Sequence, residues 1–342
     1  MSELIITRNT YATVRRQLLT GGSVLTLAGW VAAVGVAKAE DAGRPLIWIE
    51  LDGQFAQQEN AQETFAPPFL LASPFNGVSQ TDLQKAPPTI WDKDAKITFQ
   101  PEGTGWVLSA GIRYGKGSRS EALNQLTAHP TGIGANYDAF QNVAAKNSES
   151  HIVLDFQAGK DVGLGGFGNS VLNLGVRFAQ FNSQRDVDIH SQPTNANSSY
   201  NRLYGSLAAK RKSTGVGPSL SWDVSANLVG DPSGGSISFD GGVNGALLFG
   251  RQRVQAHHQT TDRGPGTASY QTSKSPNRSK NVLIPNLGGF AGVSWRYPNA
   301  KVSVGYRADF FFGALDGGID ARKNENVGFY GPFATVSVGL GG

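Results

Sequence analysis

From residue 215 to residue 228 the side chains alternate. Val216, Leu220, Trp222, Val224, Ala226 and Leu228 share one parity, and Gly217, Ser219, Ser221, Asp223, Ser225 and Asn227 share the other. Successive side chains of a strand face opposite sides, whereas a helix would repeat about every 3.6 residues, so the segment reads as a strand with one apolar face. The pattern recurs in 236–251, where Ile237, Phe239, Val243, Leu247 and Phe249 oppose Ser238, Asp240, Gly242 and Asn244. It recurs again in 301–314, where Val302, Val304, Tyr306, Ala308, Phe310 and Phe312 oppose Ser303, Gly305, Arg307 and Asp309. The same rule selects 46–55, 95–100, 104–115, 151–160, 169–181, 285–297 and 327–340, and a long strand over 203–228 completes ten. A break near Lys212 would raise the number toward twelve.

The connections carry the next step. Gaps at 56–94, 117–148, 184–201, 252–281 and 315–325 are long, and those at 101–103, 161–168, 229–235 and 298–300 are short. Long loops on one side and tight turns on the other are the signature of a transmembrane antiparallel up-and-down β-barrel, apolar toward lipid and polar toward the lumen. The expected fold is therefore all-β, a barrel of about ten strands with long extracellular loops and both ends of the strand array in the periplasm. Trp106 and Tyr114 share the outward parity about 26 Å apart along their strand, as aromatic girdles at the two membrane interfaces would. Trp295 with Tyr297, and Phe310 with Phe312, also fall near strand ends.

Residues 1–39 follow a different rule. Arg15 and Arg16 precede an apolar run over 18–36, and Ala37-Lys38-Ala39 offers small residues for cleavage before Glu40, so a secretory signal peptide is expected. The run contains four glycines, two threonines and a serine, which argues against a membrane anchor. Arg15-Arg16 also partly matches a twin-arginine signal, but a membrane barrel should not be exported folded. Residues 40–342 then form the barrel.

Composition sharpens this picture. The 342 residues include 44 glycines, which punctuate strands, and no cysteine, which excludes disulfides and thiolate metal sites. Removing residues 1–39 takes away Arg8, Arg15, Arg16 and Lys38 with Glu3, so the net charge falls from +4 to +1 and a nucleic-acid partner loses its support. No stretch after the leader approaches the length of a transmembrane helix.

Candidate chemistry concentrates on the inward parity. Glu50, Asp52, Arg113, Asp155, Arg177, Asp223, Asp240, Arg296, Arg307 and Asp309 fall there, and buried charges must pair or be wet. They either line a water-filled, weakly cation-preferring pore or fill a narrow lumen with salt bridges. Residues 252–281 carry Arg253, Arg263, Lys274, Arg278 and Lys280 against Asp262 alone. Such a loop could fold over the acidic 56–94 loop, touch the phosphates of lipopolysaccharide, or simply be solvated. His129, His190, His257 and His258 fall in expected loops without metal-ligand spacing, and 163–168 lacks the lysine of a phosphate loop, so no catalytic, metal or cofactor site is expected. A surface hydrolase using His257 or His258 is the enzymatic alternative.

Gly215-Val216-Gly217-Pro218, Ala246-Leu247-Leu248-Phe249-Gly250-Arg251, Tyr306-Arg307-Ala308-Asp309 and Gly328-Phe329-Tyr330-Gly331-Pro332-Phe333, in this order, resemble the Legionella major outer membrane protein family, best from about residue 149 onward. The resemblance implies a surface-exposed, pore-forming barrel of the bacterial outer membrane, in a family also associated with adhesion, with no catalytic residues. It suggests passive diffusion of small hydrophilic solutes as the function, or a closed structural barrel whose loops bind host or envelope partners. The chain departs from the aromatic C-terminus usual in such barrels, closing on Leu340-Gly341-Gly342.

Overall fold

The computed structural model describes residues 46–59, 89–101, 104–124, 142–163, 168–191, 202–231, 235–263, 270–319 and 321–341. The expected leader, its cleavage position and His129 lie outside the described residues. The strands are β1 (Leu46–Glu59), β2 (Thr89–Gln100), β3 (Trp106–Asn124), β4 (Asn142–Asp161), β5 (Gly168–Ser191), β6 (Arg202–Asp231), β7 (Gly235–Arg263), β8 (Tyr270–Lys274), β9 (Asn277–Tyr297), β10 (Ala300–Asp316) and β11 (Asn324–Leu340).

Each strand pairs antiparallel with its neighbours, and β1 pairs with β11 from Ile47↔Leu340 to Glu59↔Gly328, which closes the sheet. Closure removes every free edge, so backbone groups at membrane depth are satisfied without water. The wall has ten strands. The eleventh, β8, continues the line of β9 beyond the interruption at Ser275 and Pro276 and pairs only with the upper part of β7, from His258↔Lys274 to Asp262↔Tyr270. The long β6 runs without a break past Lys212, which excludes the twelve-strand alternative.

All five expected outside loops were drawn too long. Residues 117–124, 142–148, 184–191, 252–263 and 277–281 are strand, and β2 begins at Thr89. The reason is a reversal of polarity along each strand. In β5, outward Leu172, Leu174 and Val176 are 49, 66 and 49% exposed and would be costly in water, whereas Gln180, Asn182, Gln184 and Asp186 continue the same face. The inward face changes in the opposite sense, from Asn173 and Arg177 to Ala179, Phe181 and Val187. β6 changes between Val216 and Thr214, and β7 between Phe249 and Arg251. Below the change the wall is built for lipid; above it, the barrel continues with a polar outer face and a mixed interior, in which Val187, Leu207 and Val254 are buried beside Glu149, Arg185 and Arg211. The outward apolar face of β6 from Leu228 to Val216 spans ~40 Å along the strand, or ~30 Å after a typical tilt, enough for a bilayer core. Trp106, Trp295 and Tyr297 stand outward at the tight-turn rim, with the latter two rings edge to face at 4.8 Å. Those turns include Pro298-Asn299 between β9 and β10.

Candidate functional site in the lumen

The inward side chains of the membrane zone form one polar belt. Arg177 clamps Asp155 through both carboxylate oxygens (Nε to Oδ1 2.7 Å, Nη2 to Oδ2 3.0 Å) and donates from Nη1 to Asn244 Oδ1 at 2.6 Å and to Asn286. Asn244 donates to Asp309 Oδ1 at 3.3 Å, and Asp309 Oδ2 accepts from Arg113 Nη1 at 2.5 Å. Arg113 and Arg307 both reach Asp94 Oδ2, at 3.4 and 3.3 Å. Arg307 also donates to Asp52 at 2.8 Å, which accepts from Thr335 at 2.7 Å. This chain of contacts touches every wall strand except β6. The link from Arg113 on β3 to Asp309 on β10 crosses the lumen, because three strands separate them around the wall.

Above the belt lies an apolar layer. Phe181 of β5 meets Phe311 of β10 with ring centroids 4.7 Å apart and Phe329 of β11 at 6.2 Å, and His151 of β4 lies on Phe329 at 3.8 Å. Ile90, Leu248 and Ile284 pack around them, fully buried. His151 Nε2 stands 3.2 Å from Asp92 Oδ2, both side chains 1% exposed. Aromatic rings from facing walls meet across the lumen at this level. Below the belt the contacts are sparser: Lys301 with Asp240 at 2.7 Å, Asn173 with Asp223 at 3.0 Å, Arg296 with Ser225 at 3.0 Å, and Glu50 opposite Lys96 in the ladder.

Glycine makes room for the belt. A Cβ on Gly288 would lie 1.9 Å from Asp309 Oδ1 and 2.8 Å from Asn244 Nδ2. Gly288→Val is expected to destabilise the barrel by about 1–3 kcal/mol through this overlap, read as a lower temperature for the mobility shift between folded and unfolded barrel on a gel. An unchanged transition temperature would contradict the packing described.

All ten inward charges chosen from the sequence stand on the lumen side, seven of them in the belt or in the pairs just below it as ion-pair members: Asp52, Arg113, Asp155, Arg177, Asp240, Arg307 and Asp309. The belt also uses Asp94, Asn244 and Asn286, and the lower layer Lys301 and Lys96. Asp94 was missed because its strand was started at residue 95, although β2 begins at Thr89; Lys301 already had the inward parity of Ser303. The asparagines gave no charge signal.

The basic set in 252–281 is not one loop. Arg253 and Arg263 belong to β7, Lys274 ends β8, and Arg278 and Lys280 belong to β9. Arg278 is not free to meet an outside phosphate: it holds Asp316 through Nε at 2.6 Å and Nη2 at 3.1 Å and donates to the carbonyls of Gly318 and Ile319 at 2.6 Å each. Likewise His190, His257 and His258 lie in strands, not loops. His257 is exposed against Ser275 Oγ at 2.8 Å and His258 is buried on the other face, so the two cannot act as a pair. Among the described residues no group of three or more His, Cys, Asp or Glu stands together as a metal site.

Asp316 organises the segment that joins β10 to β11. Its Oδ1 accepts from the backbone N–H of Gly318 and Lys323 at 3.1 and 3.0 Å. Burial pushes its carboxyl up, but the hydrogen bonds from Arg278, Lys323 and Gly318 prevail and hold it below the usual carboxylate range. A depressed value means the contribution is complete above the unfolded value of about 3.8 and is lost as pH falls through the lower folded value. Exchange protection of the Gly318 and Lys323 amides should therefore persist at neutral pH and drop below about pH 4. Asp316→Asn should abolish that dependence; protection unaffected by acid in the native chain would refute it.

A closed antiparallel barrel with a lipid-matched outer band, aromatic rims and a polar interior defines an outer-membrane β-barrel protein. The family model described as Legionella pneumophila major outer membrane protein precursor matches residues 112–339, and the chain belongs to this family. The protein is accordingly located in the bacterial outer membrane. A sequence comparison with curated proteins finds no match. Among solved structures, the translocator domain of autotransporter NalP from Neisseria meningitidis is similar at 10% identity and a TM-score of 0.27, over 98% of this chain and 99% of that one. A major outer membrane protein from Thermus thermophilus gives 10% identity and a TM-score of 0.28 over 87% and 100%. The transport unit of autotransporter AIDA-I from Escherichia coli gives 9% and 0.33 over 93% and 97%. These likenesses are loose.

Proposed function

We propose that this protein is a closed-lumen surface barrel, a structural and adhesive element of the outer membrane rather than an open diffusion pore. The observation that supports this reading is the continuity of the polar belt across the lumen, with the Phe181, Phe311 and Phe329 layer above it. Side chains nearly fill an eight-stranded barrel, and ten strands add little width. The strand tops above the lipid band, polar outside and filled by packed side chains within, form a stiff projection suited to display at the surface. Porin-like passage of small hydrophilic solutes or ions is the competing function, and it requires the belt and the aromatic layer to part.

The test is planar-bilayer recording on purified, refolded protein. The closed reading expects insertion, checked by protease protection, without steady conductance steps in molar salt. Regular, long-lived steps from every inserted molecule would instead establish the pore.

A further inference from the structure

On the outer wall, where the β6 and β7 faces turn from apolar to polar, there is a shallow, open cleft at the junction of β5, β6, β7 and β9. Its lower walls are Phe178, Val216, Phe249 and Leu283, and Arg251 stands at its upper end. Phe249 is 64% exposed and Leu283 52%, so the cleft opens to the lipid. Directly above it the outward face carries four exposed cations, Lys210 and Lys212 on β6 and Arg251 and Arg253 on β7.

Their arrangement is unfavourable in isolation. Lys212 stands directly opposite Arg253 in the ladder, and like charges at such positions destabilise a strand pair. None of the four has an ion pair among the described residues. At the level of Lys212 the neighbouring β5 offers Asn182, and at the level of Arg251 and Arg253 β9 offers Asn281 and Ser279. The outward Asp186 of β5 stands farther up, opposite Ala208, with Lys146 on its other side and a 3.0 Å hydrogen bond from Gln184. Arg251 is oriented by a 2.6 Å bond from Nε to Ser279 Oγ, which leaves its terminal nitrogens available. An apolar cleft at acyl depth below an uncompensated cationic cluster at headgroup depth has the complementarity of a single amphiphile, with hydrocarbon below and more than one negative charge above.

We propose that this cleft is a specific site for a phosphorylated lipid of the outer leaflet. One acyl chain lies against Phe178, Val216, Phe249 and Leu283, and the phosphate is held by Lys212, Arg251 and Arg253. It relocates the contact expected from the sequence: Arg253 stays in it, Arg278 is occupied elsewhere, and Lys212 and Arg251 join from strands. The site does not depend on whether the lumen is open.

The experiment is titration of the refolded full-length barrel in detergent, followed by native mass spectrometry, with three probes: bis-phosphorylated lipid A, the same lipid dephosphorylated, and inorganic phosphate. Native protein is expected to bind the phosphorylated lipid at least tenfold more tightly than the dephosphorylated one, with inorganic phosphate unable to compete at millimolar concentration. Lys212→Glu/Arg251→Glu/Arg253→Glu should lose that preference, and Val216→Trp/Leu283→Trp should weaken both lipids by filling the cleft. If the glutamate variant does not give the mobility shift of a folded barrel, the Gln counterpart replaces it. Equal binding of the two lipids by native protein, or an unchanged preference in the folded charge variant, would overturn the proposal. Effective competition by inorganic phosphate would overturn its lipid part.

Discussion

Barrels carrying Phe181→Ala, Phe311→Ala, Arg113→Ala and Arg177→Ala together are expected to conduct ions in a planar bilayer, whereas the aromatic pair or the arginine pair changed alone should leave conductance near the native level. On the closed reading the two layers block the lumen in series, so opening one leaves the other in place. Phe181 and Phe311 are 2 and 1% exposed and reach each other from facing walls, so their truncation leaves a void that neighbouring backbone, locked in the ladder, cannot collapse to fill. Loss of the two arginines leaves Asp155 and Asp309 without those cationic partners, with Asn244 still donating to Asp309, and the carboxylates then have to be hydrated. Water drawn to those carboxylates can join water from above only when the rings are also gone. Conductance from the arginine variant alone would mean that the aromatic layer is no barrier; a silent fourfold variant that inserts normally would mean that the lumen is blocked elsewhere. The cost in stability is large, since each Phe→Ala change in a packed interior removes about 3–5 kcal/mol, so the variant should be refolded at low temperature and its gel shift verified first.

The second large effect is on stability. Arg113→Ala should destabilise the barrel by about 3–5 kcal/mol, because it strips Asp309 of its cross-lumen partner while the carboxylate stays buried, its side chain 4% exposed. Arg113→Met combined with Asp309→Asn should cost far less than the single change, since no unpaired charge remains. Breaking a buried pair is expensive even where the pair itself contributes little net stability, because desolvation of both partners offsets most of their attraction. Urea unfolding in lipid vesicles, read by tryptophan fluorescence, gives the comparison. A single variant no worse than the double one would show that water already reaches Asp309, and the closed reading of the lumen would lose its support.

The rule of alternation located the wall. Every membrane-zone strand was visible as apolar residues on one parity, because lipid imposes that face locally and the partner strand does not alter it. Inward placement of Glu50, Asp223 and Arg296 followed from the same parity. The rule failed where its sign reversed. Residues 184–191, where Gln184 and Asp186 alternate with Arg185 and Val187, read as loop, because such a segment looks irregular and polar when the expected outward face is apolar. That reversal hid the upper parts of β5, β7 and β9, though not that of β6, and with them the true surroundings of Arg253, Arg278, His257 and His258.

Sequence by itself therefore determined the all-β class, a barrel wall of ten to twelve strands and the lumen side of the ten inward charges, since these follow from local chemistry and a period of two. Only the tertiary structure decided which charge meets which. Arg113 and Asp309 are 196 residues apart in the chain and become partners only when closure and stagger of the barrel bring them to one height on facing walls. The same closure brings Phe181 against Phe311, and sets Lys212 opposite Arg253 beside a cleft that no single strand contains. Whether the inward charges line a pore or fill it is a matter of distances across the lumen, and those are fixed by barrel geometry rather than by the pattern of any one strand.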